Sequence, residues 1–330
     1  MRVLLWHVHG SWTTSFVQGG HDYLLPVTPD RCPDGLGRAR TWDWPGSVVE
    51  VPVAEMRDCE PDVVVLQRPH EAVLVEQWTG RRPGVDLPAV YLEHNTPLHG
   101  HPDVPDTRHP MADQDGVPVV HVTGFNDLFW DCGEAPTRVI DHGVVDPGPR
   151  WTGELPHAAV VVNDPVRRGR SVGADLLEPL AHEVPVDVFG MRVEALPGLL
   201  ASSGWPRTAG LVAHEDLPQD RMHRELARRA VYVHTARWTS LGLSLVEAMH
   251  LGMPVVALAT TEAVVAVPPE AGILTTRRDE LAAAVRHFVS DPAAAAAAGA
   301  AARRHALEHY ALAPFLAAWD DVLGEVTRTG

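Results

Sequence analysis

Short, uniformly apolar runs recur along this chain and constrain its fold more than any other feature. In the first half they fall at residues 2–7, 22–27, 48–53, 62–66, 89–92 and 117–122. Polar residues do not alternate through them, so both faces of each run should be covered, as in parallel strands layered between helices. Helical segments are expected at 13–18, 71–79 and 124–132, while the Pro-, Asp- and His-rich stretch 97–116 reads as a long loop. A glycine- and proline-dense linker, 141–149, interrupts the pattern.

The alternation then begins again. Strands are expected at 158–162, 186–189, 211–212, 231–234 and 254–258, and helices at 172–182, 219–230, 244–251, 279–289, 293–309 and 314–326. Two successive α/β units imply two Rossmann-like domains, residues 1–150 and 151–330, facing across a cleft. The last helix has the length and position to pack back on the first domain. An interdomain cleft is then the default ligand site.

Composition removes several classes of function. Among 330 residues, 27 are basic and 43 acidic, a net charge of −16, the wrong balance for gripping nucleic acid by its phosphates. Every basic residue is arginine, so Schiff-base lysines and phosphate-loop lysines are absent, and kinase and P-loop readings fall. With 29 prolines and many alanines, this usage suggests a GC-rich genome. No apolar run reaches the ~20 residues of a membrane span, and the first residues lack a signal-peptide pattern, so a cytoplasmic location is expected. Cys32, Cys59 and Cys132 form no CxxC pair and read as ordinary thiols. No GxGxxG follows a strand, which disfavours a dehydrogenase.

The most informative segment runs from Thr239 through Gly242, Glu247, Gly252 and Pro254 to Val256: a loop, a helix, a glycine and a strand. The start of such a helix presents free N–H groups and a positive dipole end, which attract phosphate. Gly242 would let a bulky anion approach the backbone. Glu247, about one turn in, could accept from two ribose hydroxyls, a charge-assisted contact of roughly 1.5–3 kcal/mol. An ordinary helix with a solvated glutamate is the bland alternative.

This segment resembles the signature of the family 4 glycosyltransferases, retaining enzymes of GT-B fold. Glu247 to Val256 follows the trailing Glu-Ala-Met-Ala-x-Gly-x-Pro-Val-Val of their Glu-x7-Glu pattern almost residue for residue. The resemblance implies that Glu247 holds the nucleotide ribose and that the amides of Ser240, Leu241, Gly242 and Leu243 touch the diphosphate and donor sugar. It departs at the first glutamate, whose place is taken by Thr239. The run from Val139 to Asp146 resembles the family linker, and the stretch from Gly20 to Val27 its approach to the second strand. The family arginine falls on Arg167 and its lysine on Val172, so Arg168 or Arg170 is expected to supply the second charge. Gly10 follows the first strand where the family keeps a glycine near the phosphates. His94 ends a strand where a family histidine contacts the donor sugar.

The resemblance thus implies retaining transfer of a sugar from a nucleotide-diphosphate sugar to a hydroxyl-bearing acceptor, such as a small molecule or cell-envelope precursor, with no metal. Arg167 and the helix amides would stabilise the leaving diphosphate. The lost carboxylate at Thr239 costs about 1.5–3 kcal/mol against at least ~8 kcal/mol of typical rate enhancement, so activity with altered donor selection is expected. Two alternatives stand beside this reading. One is a GT-B protein that binds nucleotide without turnover. The other is a histidine-rich metal hydrolase, drawn from the HxH pair His7 and His9 on a strand face, with His99, His101 and His109 as further ligands. Asp113 and Asp115 have the DxD shape of another glycosyltransferase fold but read as solvated. Trp12, Phe16, Trp42, Trp44 and Trp130 read as core, with an acceptor surface as the alternative.

Overall fold

The computed structural model describes residues 1–97, 107–198 and 210–329. His99 and His101 lie outside the described residues, as does part of the expected 97–116 loop. The chain divides into two compact units. The first comprises Met1–Val145 with Leu312–Gly330, and the second is Asp146–Ala311. The division falls five residues before the position expected from the linker, and the last helix belongs to the first unit.

In the first unit β1 (Arg2–Leu5), α1 (Gly10–Phe16), β2 (Asp22–Val27), β3 (Val48–Pro52), β4 (Val63–Leu66), α2 (Glu71–Thr79), β5 (Ala89–Glu93), β6 (Val119–His121), α3 (Gly124–Phe129) and β7 (Thr137–Val139) follow in order. Its seven strands are ordered β3-β2-β1-β4-β5-β6-β7, and all pair in parallel. Every residue of β4, β5 and β6 is buried, the outcome that unbroken apolar runs require. The exposed edge strand β7 carries no apolar run, which is why no strand is expected there from the sequence.

The second unit holds β8 (Leu155–Val161), α4 (Pro165–Arg168), α5 (Ala174–Ala181), β9 (Val186–Gly190), β10 (Leu211–Glu215), α6 (Gln219–Leu226), β11 (Arg229–His234), α7 (Leu243–Leu251), β12 (Val255–Leu258), α8 (Ala263–Ala266), β13 (Gly272–Thr275), α9 (Arg278–Ser290) and α10 (Pro292–His309). Its strands are ordered β10-β9-β8-β11-β12-β13, again parallel throughout. The expected helix 172–182 starts only at Ala174, because Gly173 sits at φ +77° after a 3-10 turn. Helix 219–230 stops at Leu226, since the chain must extend into β11 from Arg229.

Each unit buries its own apolar core. In the first, Leu4, Trp6, Val64, Leu66, Val75 and Tyr91 pack on one side of the sheet. Trp12 stacks on Phe16 at 4.6 Å, and Phe315 and Trp319 of the final helix, α11 (Leu312–Thr329), join them edge-on. Trp12, Phe16 and Trp44 are therefore core, while Trp42 and Trp130 remain partly exposed. In the second unit Val160, Val188, Val231, Val256, Val285 and Phe288 form the core. The alanine-rich α10 passes so close to the end of α7 that a Cβ on Gly299 would lie 2.0 Å from the Gly252 carbonyl oxygen. Gly252 itself, at φ +85°, ends α7 in the left-handed conformation that glycine adopts freely.

Candidate functional site

In the second unit the connections from β8 and β11 leave the sheet in opposite directions. A crevice beyond the carboxyl ends of two such strands is where open α/β sheets bind ligands. Two loops meet there. The N–H groups of Arg237 and Trp238 both donate to the Ser171 carbonyl, at 2.8 and 3.1 Å. Gly173 presses against Thr235, whose carbonyl oxygen would be 2.1 Å from any added Cβ. That close approach, together with a positive φ, makes glycine the residue required at 173.

The loop after β8 carries three arginines in unequal circumstances. Arg167 is largely exposed and pairs with Asp164, which also holds Arg192 at 3.1 Å. Arg170 pairs with Asp175 at 2.7 Å, and Asp175 also accepts two bonds from Arg237, at 2.6 and 3.0 Å. Arg168 is half-buried and makes no ion pair among the described residues. Burial, then the neighbouring Arg167 charge, lowers its pKa from the usual arginine value. A guanidinium in that state gains from an anion more than its two paired neighbours do.

The loop after β11 leads into α7. Ser240 and Leu241 are buried, Thr239 and Leu243 partly so, and Gly242 is the N-cap, with no side chain capping the helix. The first N–H groups of α7 thus keep the positive end of the helix dipole undressed. Gly242 has a second reason to lack a side chain: an added Cβ would lie 2.6 Å from Cε1 of the buried His234. Burial pushes the His234 pKa down to about 4, so this ring is neutral and brings no competing charge.

Glu247 is 2% exposed and its carboxylate is already engaged. Oε2 accepts from Nε2 of His223 at 3.1 Å, and Oε1 from the Gln219 amide at 3.3 Å. A carboxylate has about four lone-pair sites, so capacity for two hydroxyls remains. Sequence reasoning missed His223 and Gln219. Their four-residue spacing, which puts both on one face of α6, was the available signal.

The first unit brings together other expected residues. His94, just beyond β5, lies 3.9 Å from the His9 ring and 6.4 Å from the His142 ring, with Trp12 edge-on at 5.4 Å. Its Nε2 is buried and without a partner. Burial, then His9 and His142, hold its pKa well below the usual value, and burial pushes His142 down to about 3. His94 is accordingly a neutral imidazole at neutral pH. Gly10 opens α1, and the Trp42 indole fills the space that a side chain there would need.

The histidine-metal reading does not survive the fold. Two open parallel sheets replace the barrel it required. β1 ends at Leu5, so His7 and His9 stand in the loop beyond it rather than on one strand face; His7 packs on Trp44 and His9 on His94. His109 bonds to Glu93 at 3.0 Å. Asp113 is exposed, as expected, and it also anchors its loop: it pairs with Arg108 and accepts from the Glu134 N–H at 3.0 Å.

Residues 167–319 match the family model described as Glycosyl transferase-like. No curated protein sequence matches the chain. Among solved structures, sucrose-phosphate synthase from Thermosynechococcus elongatus is similar over 100% of both chains, with TM-score 0.74 and 13% identity. HepE from Anabaena, solved in complex with UDP, is similar over 98% of this chain and 99% of its own, with TM-score 0.70 and 15% identity. A glycosyltransferase from Rickettsia africae is similar over 100% of this chain and 99% of its own, with TM-score 0.66 and 12% identity. These likenesses, with the two parallel sheets, establish a GT-B fold of two Rossmann-like units. No helix among the described residues is long and apolar enough to cross a membrane.

Proposed function

We propose that this chain is a retaining glycosyltransferase that moves a sugar from a nucleotide-diphosphate sugar to a hydroxyl-bearing acceptor without a metal ion. One observation carries the reading: the half-buried Arg168, which makes no ion pair among the described residues, lies at the same end of the sheet as the uncapped start of α7, with Glu247 one turn further on. Positive charge and helix amides suit a diphosphate, and a held carboxylate suits a ribose diol. The match over residues 167–319 covers these parts. HepE structures with UDP and with UDP-glucose make uridine nucleotides the first to test.

In this scheme the acceptor hydroxyl attacks the anomeric carbon on the face from which the diphosphate leaves, and a departing phosphate oxygen takes the proton. Arg168 and the amides of residues 240–243 stabilise the negative charge that develops on the leaving group. His94, neutral, offers the donor sugar a hydrogen bond rather than a charge. Thr239 presents a hydroxyl where family relatives place a carboxylate, which supports an altered choice of donor sugar. The same residue supports a second reading, nucleotide binding without turnover.

Thermal-shift binding of UDP, GDP and ADP, with and without EDTA, tests the proposal. The expected result is stabilisation by one nucleotide, unchanged by chelator and lost in Arg168→Ala. Failure of all three nucleotides to stabilise the protein would overturn it. Release of free sugar or of glycosylated product from the matching nucleotide sugar separates the enzyme from the binding protein.

A further inference from the structure

Between Glu247 and Val256 the family pattern is broken once, by His250 where the pattern has alanine. His250 stands in the last turn of α7, one turn beyond Glu247, and its ring is buried. A buried imidazole needs a partner for each nitrogen. Its Nε2 bonds to the Tyr310 carbonyl oxygen at 3.3 Å, and a carbonyl only accepts, so Nε2 carries the proton of the neutral ring. Nδ1 is then a bare lone pair. It faces Asp146 Oδ1 at 3.5 Å and has no hydrogen-bond partner. Asp146 opens the second unit and Tyr310 stands one residue from its end, so this side chain meets both ends of the unit.

Asp146 is already committed. Its Oδ1 accepts from the Gly148 N–H and from Nη1 of Arg303 on α10, both at 2.9 Å, and Oδ2 accepts from Arg303 Nη2 at 2.8 Å. Arg303 Nη1 also donates to the His250 carbonyl oxygen. That carbonyl is among the last four of α7, which find no partner within the helix. One nitrogen of Arg303 therefore holds both the carboxylate and the end of the helix. Of the other charged or titratable groups around this end, Arg150 pairs with Asp220 at 2.6 Å, His305 faces the Tyr310 ring at 6.2 Å, and Glu247 is held by His223.

Protonation upsets this arrangement. Arg303 holds the Asp146 carboxyl at about 2, so it stays ionised. Burial keeps the His250 pKa below its usual value, with Asp146 drawing it back up, so the ring is neutral at neutral pH and gains its proton on the acid side. The new Nδ1–H would turn to Oδ1, whose two lone pairs are both taken. Arg303 Nη1 is the donor that yields, because the charged ring repels a guanidinium and not the Gly148 amide. As it yields, the His250 carbonyl loses its partner and the last turn of α7 is released. We propose that His250 is a positioning residue for Glu247: its neutral form holds α7 in place for the nucleotide, and its protonated form loosens the helix, so that nucleotide affinity falls in acid. The role of Glu247 rests on the glycosyltransferase reading; the hold of His250 on α7 does not.

Calorimetric titration of the full chain and of His250→Gln with UDP, GDP and ADP, at pH 7.5 and pH 5, tests this. Glutamine keeps an amide N–H for the Tyr310 carbonyl and takes no proton. For the nucleotide that binds, affinity at pH 7.5 should be the same in both proteins. The loss on going to pH 5 should be smaller in the variant by about fivefold or more, the lower end of typical coupling between sites. The His223–Glu247 pair and the nucleotide phosphate also titrate, but alike in both proteins. Hydrogen exchange without nucleotide is the second readout: protection of the last turn of α7, relative to α9, should fall at pH 5 in the wild type and hold in the variant. An equal acid loss of affinity in the two proteins would overturn the inference, as would a variant weakened by the same factor at both pH values, the mark of a merely structural residue. Failure of every nucleotide to bind at pH 7.5 would overturn the donor reading instead, and exchange alone would then decide whether His250 governs α7.

Discussion

Beyond β8 lie three arginines, two paired with aspartates and one, Arg168, with no ion pair among the described residues; beyond β4 lies a single arginine held between Asp34 and Glu71. The strand order around both points is the same, outward from the switch in each direction. One helix at each switch point begins at a glycine, with Gly242 before α7, which follows β11, and Gly10 at the start of α1, which follows β1. Topology therefore supplies a crevice twice, and the side chains decide what each will hold. An arginine without an ion pair and a helix start without a side-chain cap favour an anion at one. The other already holds its arginine between two carboxylates.

The contrast breaks most readily at Glu247. Removing this carboxylate in Glu247→Ala strands the buried His223 and the half-buried Gln219 and removes the proposed ribose contact. We expect a stability loss of about 1–3 kcal/mol in chemical denaturation together with loss of the nucleotide thermal shift. Next come the arginines. Arg168→Ala should weaken nucleotide binding about ten- to a hundredfold, from the ~1.5–3 kcal/mol of a charged hydrogen bond, and Arg167→Ala much less because Asp164 already holds that side chain. Equal losses in calorimetric titration would mean that pairing does not distinguish them.

The two glycines offer a smaller and sharper test. An added Cβ clashes with an aromatic ring in both places, at 2.6 Å from His234 and 2.4 Å from Trp42. His234 is locked in the interior and Trp42 is not. Gly242→Ala should cost about 1–3 kcal/mol, as overpacking does, and Gly10→Ala well under that. Comparable denaturation midpoints would show Trp42 to be as fixed as His234.

A further effect is shared by the two units. Burial holds His121, His142 and His234 at about 4, 3 and 4, below the ~6.5 of the unfolded chain. Between those values the unfolded state binds more protons, so this contribution is complete above pH ~6.5 and is lost as pH falls toward 4. Denaturation midpoints measured at pH 7.5 and pH 5 should show lower stability at the acid value.

Much of this fold is legible because strands covered on both faces must be apolar throughout. The pattern fails where that demand is relaxed, at the exposed edge strand β7 and at the other unit's edge strand β13, whose two middle residues are only partly buried. Chemistry is legible only where it is local. The segment from Thr239 to Val256 shows its loop, helix and strand in one stretch. Whether Arg167 or Arg168 is the unpaired one depends on Asp164 and on burial, which spacing does not reveal. That Trp42 covers Gly10 depends on a connection more than thirty residues away folding over the end of β1.

The close crossing of Gly299 over Gly252 fixes one end of α7 while the other end faces the proposed diphosphate site. The helix therefore works as a gauge of set length. Adding or deleting one residue between Gly242 and Gly252 would turn Glu247 by about 100° and move it by ~1.5 Å. Point substitutions along α7 are a matter of degree, but its length is not, and natural variation in this chain should change the faces of that helix before it changes the number of residues in it.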